Sequence, residues 1–444
     1  MLTEDQFSNY SLTPRGQEEL HTLLTENPQL ASQITSKVLC EQAEKHANTS
    51  ALYRLSLSDE GHKILQILLS NNVRLTAQIT REALCAKRTE QAGAYAHTSA
   101  LYYLSTTPTG HEILQTLLTN KKELASQITW EALCAIVPDQ TGKYANTSAL
   151  YYLSIARTGQ KILQTIINKN SQLAASISGE VLCAILPQQA GAYANTSALY
   201  GLSVTPGGRK VLQTLLNKND KLASQISGEA LCTKLTEQAG AHVHTSALYW
   251  LSFTKKGREI LQTLLNKNSR LASQISGEAL CAIQPQQAGQ LANSSALYFL
   301  SSYTKGHEIL QTLLKNNDKL ASEITVEAFF TRQKILNTEH NNMSAFSQLC
   351  RIDSGRKICD NLIEGNDKLK EGSLTPLISG VSLTNKNSGN KRARHSTSQD
   401  GSPKDKNQIK LSDAAAANLL LGLKDTASYK KQKARSNHGH FTPS

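Results

Sequence analysis

No apolar run in the 444 residues approaches the roughly 18 residues of a membrane-spanning helix. The start, Met1-Leu-Thr-Glu-Asp-Gln, has neither the basic residues nor the apolar stretch of a secretory signal. Catalytic signatures are missing too: there is no phosphate-cradling glycine loop, nucleophile elbow, His-Glu-x-x-His or Cys-x-x-Cys. His242-Val-His244 alone is too sparse for a metal site. Neither an enzyme nor a cofactor is expected. Acidic residues are in short supply, 35 against 47 Lys+Arg, for a net charge of +12. The deficit is uneven, since the tail from Glu371 holds 12 Lys+Arg and 5 Asp+Glu.

What the chain has is repetition. Ser99-Ala-Leu-Tyr-Tyr-Leu-Ser105, Gly110-His-Glu-Ile-Leu-Gln-Thr-Leu-Leu118, Leu124-Ala-Ser-Gln-Ile-Thr129 and Glu131-Ala-Leu-Cys134 return at a period of 49 residues. Gly61, Gly110, Gly159, Gly208, Gly257, Gly306 and Gly355 mark the register, and Gly16 precedes Gly61 by 45. A period of this length belongs to stacked repeats, each unable to bury its apolar face alone. The expected fold is an all-α solenoid of about eight units and roughly three short helices per unit. It spans residues 1–370, with atypical capping units near 1–40 and 331–370. A basic, mostly disordered tail follows over 371–444.

Within a unit the apolar residues fall at helical spacing: Ala100, Leu101, Leu104; Ile113, Leu114, Leu117, Leu118; Ile128, Ala132, Leu133, Ile136. Thr98/Ser99 and Thr107-Pro108 read as helix starts. Asn72, Asn170, Asn219, Asn268 and Asn317 read as left-handed ends of the second helix. The sequon asparagines Asn48, Asn146, Asn195 and Asn293 recur with the repeat and read as capping residues. At both ends a Phe-Ser pair, Phe7-Ser8 and Phe346-Ser347, replaces the inner Leu-Tyr, as capping units require. The tyrosines Tyr53, Tyr102, Tyr151, Tyr200, Tyr249 and Tyr298 never vary, which points to stacking on neighbours. Six of eight cysteines (Cys40, Cys85, Cys134, Cys183, Cys232, Cys281) share one repeat position. Stacked helices stand about 8–10 Å apart, too far for disulfides, so buried thiols are expected.

The Ser-Ala-Leu-Tyr and Gly-His-x-Ile-Leu-Gln-Thr-Leu-Leu segments resemble the ankyrin pattern of Thr-Pro-Leu-His, Gly-His and Leu-Leu. Tyr stands for the ankyrin His, two residues more precede the Gly, and a third helix replaces the β-turn finger. Three helices per unit also resemble armadillo repeats. Both resemblances imply a binding scaffold.

Positions that drift between copies are the candidates for function. After the fixed tyrosine come Arg54, Tyr103, Tyr152, Gly201, Trp250 and Phe299. This row is either a contact ridge for a protein partner or packing between helices. A second row is basic: Lys169, Lys218 and Lys267 end the second helix, with Arg74, Lys221, Arg270 and Lys319 beyond. It complements the helix dipole, or meets an acidic partner or nucleic acid. His62, His111 and His307 share a position with Gln160, Arg209 and Arg258, a drift that no metal site tolerates.

In the tail, Lys391-Arg392-Ala-Arg394 and Lys430-Lys431-Gln-Lys433-Ala-Arg435 resemble monopartite nuclear localisation signals, which implies importin as a partner. Nucleic acid suits the same residues. Between them, residues 412–424 form a candidate short helix. Near-verbatim copies, Asn/Gln/Ser/Lys-rich loops and an untagged start resemble the eukaryote-like repeat effectors of intracellular bacteria such as Legionella and Coxiella. That resemblance implies type IV secretion into a host cell, with the nucleus as a destination and the cytoplasm otherwise.

Overall fold

The computed structural model describes residues 2–41, 49–88, 97–137, 146–186, 194–235, 243–285, 291–332 and 343–374, with side chains to residue 371. The nuclear-signal residues Lys391, Arg392, Arg394, Lys430, Lys431, Lys433 and Arg435 and the candidate helix at 412–424 lie outside this range. So do Asn48 and His242.

The chain is an all-α solenoid of eight units whose first helices begin at Glu4, Ala51, Ala100, Ala149, Ala198, Ala247, Ala296 and Ala345. Among the described residues there is no strand, and no helix is long and apolar enough to cross a membrane. An inner unit runs Ala100–Ser105, Pro108–Asn120, Lys122–Gln127 and Trp130–Cys134. The three expected helices are present, and the stretch before the last of them is itself a short helix. Hydroxyls start these helices: Ser99 accepts from Tyr102 N at 3.2 Å, Thr107 from Gly110 N at 3.0 Å and Thr129 from Ala132 N at 3.3 Å. Ala156 stands where Ser58, Thr107, Thr205 and Thr254 cap the second helix, and has no hydroxyl to offer. Ala156→Thr is expected to raise unfolding free energy by about 1 kcal/mol in a urea titration.

First helices pack on the first helices of the next unit and second helices on second helices, giving two continuous layers. The third and fourth helices bridge to the next unit and close the core. Leu101, Leu104, Ile113, Leu114, Leu117, Leu124 and Leu133 are fully or almost fully buried, as are their copies in the inner units. Phe7 is buried at one end of the stack, and Phe346 packs on Phe329 and Phe330 at the other.

Side chains 42 residues apart tie the units together. Asn72 Nδ2 donates to the carbonyl of Ile34 in the preceding unit, a separation of 38 where that unit is shorter. Asn170, Asn219, Asn268, Asn317 and Asn366 donate to Ile128, Ile177, Ile226, Ile275 and Ile324 at 2.8–3.1 Å. Lys121 takes the same place and donates to Ile79 O at 2.8 Å. These asparagines were expected to be left-handed. They are not: φ is −136° at Asn72 and −127° at Asn268. The amide needs an extended approach to reach the neighbouring unit.

The left-handed residues lie elsewhere, at His97, Asn146, Asn195, His244 and Asn293, with φ of 59–63°. Each closes the loop into the next first helix through paired backbone bonds, such as Asn146 N to Val137 O at 2.9 Å and Val137 N to Thr147 O at 2.8 Å. Asn146, Asn195 and Asn293 therefore turn the chain, which asparagine tolerates. Ser148, two residues on, is the cap.

Candidate partner-binding surface

The drifting row after the fixed tyrosine lies mainly inside the stack. Trp250 and Phe299 are buried, 1% and 3% exposed. Trp250 Nε1 donates to Tyr200 Oη at 3.2 Å, and Phe299 packs edge-on against Tyr249, Tyr298 and Phe253. Arg54 is buried as well, donating to Ser11 Oγ, Ser8 Oγ and Thr49 O at 2.7–3.1 Å. Its burial lowers the guanidinium pKa to about 10. Tyr103 and Tyr152 are half-buried, with edges on Tyr53, Tyr102 and Tyr151. The expected ridge is therefore corrected for Arg54, Trp250 and Phe299. The first helices stack so closely that these three side chains point into the neighbouring unit, where no partner reaches them.

The fixed tyrosines carry the same joint. Tyr102 Oη meets Thr147 Oγ1 at 2.7 Å, Tyr151 meets Thr196 at 2.7 Å and Tyr249 meets Ser294 Oγ at 2.6 Å. Burial raises the Tyr200 phenol to about 12. These groups remain neutral hydrogen-bonding partners.

The histidine row is a third joint. Residue by residue it donates to the carbonyl that ends the first helix. His62 Nε2 lies 2.8 Å from Ser56 O and His111 Nε2 2.7 Å from Ser105 O. Gln160 Nε2 and Arg209 Nη1 lie 2.8 Å from Ser154 O and Ser203 O. Any long donor satisfies that carbonyl, which explains the drift. The histidine's other nitrogen reaches the next unit, as His111 Nδ1 does at Thr158 Oγ1, 2.9 Å.

Burial lowers the pKa of His62 and His111 below the usual value of 6.5. As pH falls through 6.5 the unfolded chain takes up these protons first. Stability held above pH 6.5 is therefore lost on acidification. In His62→Gln/His111→Gln, urea midpoints between pH 7 and 5 are expected to fall less than in the parent.

Two lysines of the basic row also link units. Lys218 Nζ donates to Ile167 O at 2.8 Å, and Lys267 Nζ lies 3.3 Å from Asp220 Oδ1. Lys169 and Arg270 are exposed. The link to Ile167 O places a cation at the end of the preceding second helix, where the helix dipole favours it.

A different row is both accessible and constant. On the second helices, Gln66, Gln115, Gln164, Gln213, Gln262 and Gln311 stand in each of the six inner units, exposed or half-buried. Thr116, Thr165, Thr214, Thr263 and Thr312 follow them. Gln164, Gln213 and Gln262 donate to Asn168, Asn217 and Asn266 one turn on, at 2.8–2.9 Å. The flanking charge varies in sign: Lys63, Glu112, Lys161, Lys210, Glu259, Glu308. Sequence reasoning passed over this row by searching for drift. Its signal is constancy at a partly exposed helical position, from which Gln66 and Gln164 also reach Glu112 and Thr214 of the next unit.

Among the described residues no group of three or more His, Cys, Asp or Glu could hold a metal ion. A shallow open depression lined by Tyr10, Glu18, Glu19, Thr22 and Leu23 lies on the first unit.

No family model and no curated protein matches the sequence. Among solved structures, the Puf3 RNA-binding domain bound to the Cox17 RNA 3′ UTR recognition sequence site B is similar over 93% of both chains, at 13% identity and a TM-score of 0.25. A superposition that loose carries nothing about what this chain binds.

Proposed function

We propose that the chain is a non-enzymatic repeat scaffold that holds an extended segment of a protein partner along the outer face of its second helices. One observation carries this reading: Gln stays constant over the six inner units, and Thr after it over five of them, at a partly exposed surface while the charges beside them change sign. Neighbouring rungs of stacked helices stand about 8–10 Å apart, close to three residues of extended polypeptide at 3.3 Å each. The amide Nε2 groups carry two N–H donors each, which suit the carbonyls of a peptide backbone. A phosphate backbone along the same face would meet Glu112, Glu259 and Glu308.

The basic row and the tail favour a second reading, nucleic-acid binding. Fluorescence anisotropy with mixed-sequence single-stranded RNA and duplex DNA separates the two. For a chain ending at Leu369, the scaffold reading expects no strongly salt-dependent binding. Affinity falling about 10³-fold or more between 50 and 200 mM salt, and lost on neutralising Lys169, Lys218 and Lys267, would establish nucleic acid instead.

The tail's two Lys/Arg clusters support its role as an importin-binding segment that carries the scaffold into a nucleus, in keeping with a secreted bacterial effector. Tagged full-length chain in eukaryotic cells is expected in the nucleus, and the chain ending at Leu369 in the cytoplasm. Identical distributions would sink that role.

A further inference from the structure

Cys350 and Cys359 stand apart from the cysteine row, and both belong to the last unit. At their positions the inner units carry a serine (Ser301 in the preceding copy) and a leucine (Leu310). The terminal unit alone has exchanged both, and the two new sulfurs face each other at 4.0 Å. Cys350 is half-buried at the end of the helix Ala345–Cys350, and Cys359 is buried in the helix Asp353–Glu364. Arg356, one turn before Cys359, donates through Nε to Cys350 O at 3.0 Å.

We propose that Cys350 and Cys359 are a redox-modification site, in which a small-molecule disulfide of the glutathione type oxidises the pair to an intramolecular disulfide that clamps the last unit. Cys350 loses its proton and attacks one sulfur of the small disulfide, expelling one small thiolate and leaving a mixed disulfide. Cys359 then loses its proton and attacks the Cys350 sulfur, expelling the second. Two protein thiols and one disulfide become one protein disulfide and two small thiols.

The roles follow from the surroundings. The hydrogen bond with Cys359 and the charge of Arg356 lower the Cys350 thiol, which favours it as the attacking group. The same contact and burial raise Cys359 and suit it to the resolving step. The sulfurs need to close from 4.0 Å to about 2.05 Å. A cysteine at a helix end can do this by side-chain rotation. By contrast, burial raises Cys85 and Cys134 to about 12, and both are buried. A terminal unit has one neighbour instead of two and frays first. A covalent link between its two helices therefore acts where the array is least held, just before the tail.

The test uses full-length chain treated with oxidised glutathione, followed by thiol alkylation and peptide mass spectrometry. One disulfide, between Cys350 and Cys359, is expected to form at least about tenfold faster than any modification of the other six thiols. Hydrogen exchange across 345–371 is expected to slow on oxidation. Cys350→Ser and Cys359→Leu restore the residues of the inner units, so both variants should fold. Cys359→Leu is expected to stop at a glutathione adduct on Cys350, and Cys350→Ser to leave Cys359 free. Modification spread evenly over the eight thiols, absence of the 350–359 link, or exchange unchanged by oxidation would overturn the proposal.

Discussion

Gly257→Ala is expected to cost about 3 kcal/mol or more and to divide unfolding of the array into two transitions. A Cβ on Gly257 would lie 2.3 Å from Leu251 O and 2.8 Å from Leu251 Cα. Both atoms are backbone at the crossing of the first and second helices, and neither can rotate away. The same obstruction meets Gly61, Gly110, Gly159, Gly208, Gly306 and Gly355, at 2.0–2.5 Å from the equivalent carbonyl. Because each unit is held by its neighbours, a central lesion separates the units on either side. Gly207→Ala is the control. Its Cβ would meet Gln160 Oε1 at 3.0 Å and nothing else nearer than 3.9 Å. A Gly→Ala change within a helix gains up to about 1 kcal/mol, so little net change is expected there. Urea titrations followed by circular dichroism check both. A single unshifted transition for Gly257→Ala would show that the helix crossing tolerates a methyl group.

The second large effect is expected at the asparagine joint. Asn268 is buried; its Nδ2 serves Ile226 O, and its Oδ1 accepts from Arg270 N at 3.2 Å. Asn268→Ala leaves a carbonyl and an N–H unpaired between two units. The expected cost is about 2–3 kcal/mol. Asn268→Lys is expected to lose less, because Lys121 already serves the equivalent carbonyl in another unit. Equal losses for Ala and Lys would mean that the amide's fit, and not the donor, holds the joint.

The period exposed the architecture because each unit repeats its own caps and apolar stripes. The registering glycines, the serine caps and the buried tyrosines were legible from local pattern. The joints were not. Asn170 ends its helix as expected, but nothing near it shows that its side chain also serves Ile128, 42 residues back. Trp250 looks like a surface anchor because its partner, Tyr200, is 50 residues away. The histidine row looked irregular because donor capacity, not residue type, is what repeats. Drift at Arg54, Trp250 and Phe299 reflects different fillings of one inter-unit gap, whereas the Gln row is constant at a partly exposed position. The substitutions Trp250→Ala and Phe299→Ala would therefore unsettle the stack before reporting on any partner.

The most direct measurement compares the tagged full-length chain with Gln164→Ala/Gln213→Ala/Gln262→Ala, both recovered from eukaryotic cell extract in about 0.5 M salt, where the Debye length falls well below its physiological value of about 8 Å. Surface changes of this kind shift stability by only about 0.5 kcal/mol each, so unfolding midpoints should stay close. The scaffold account predicts that proteins cross-linked to the second-helix face of the parent are absent from the variant. Recovery of the same proteins, cross-linked at the same positions, from both chains would contradict it.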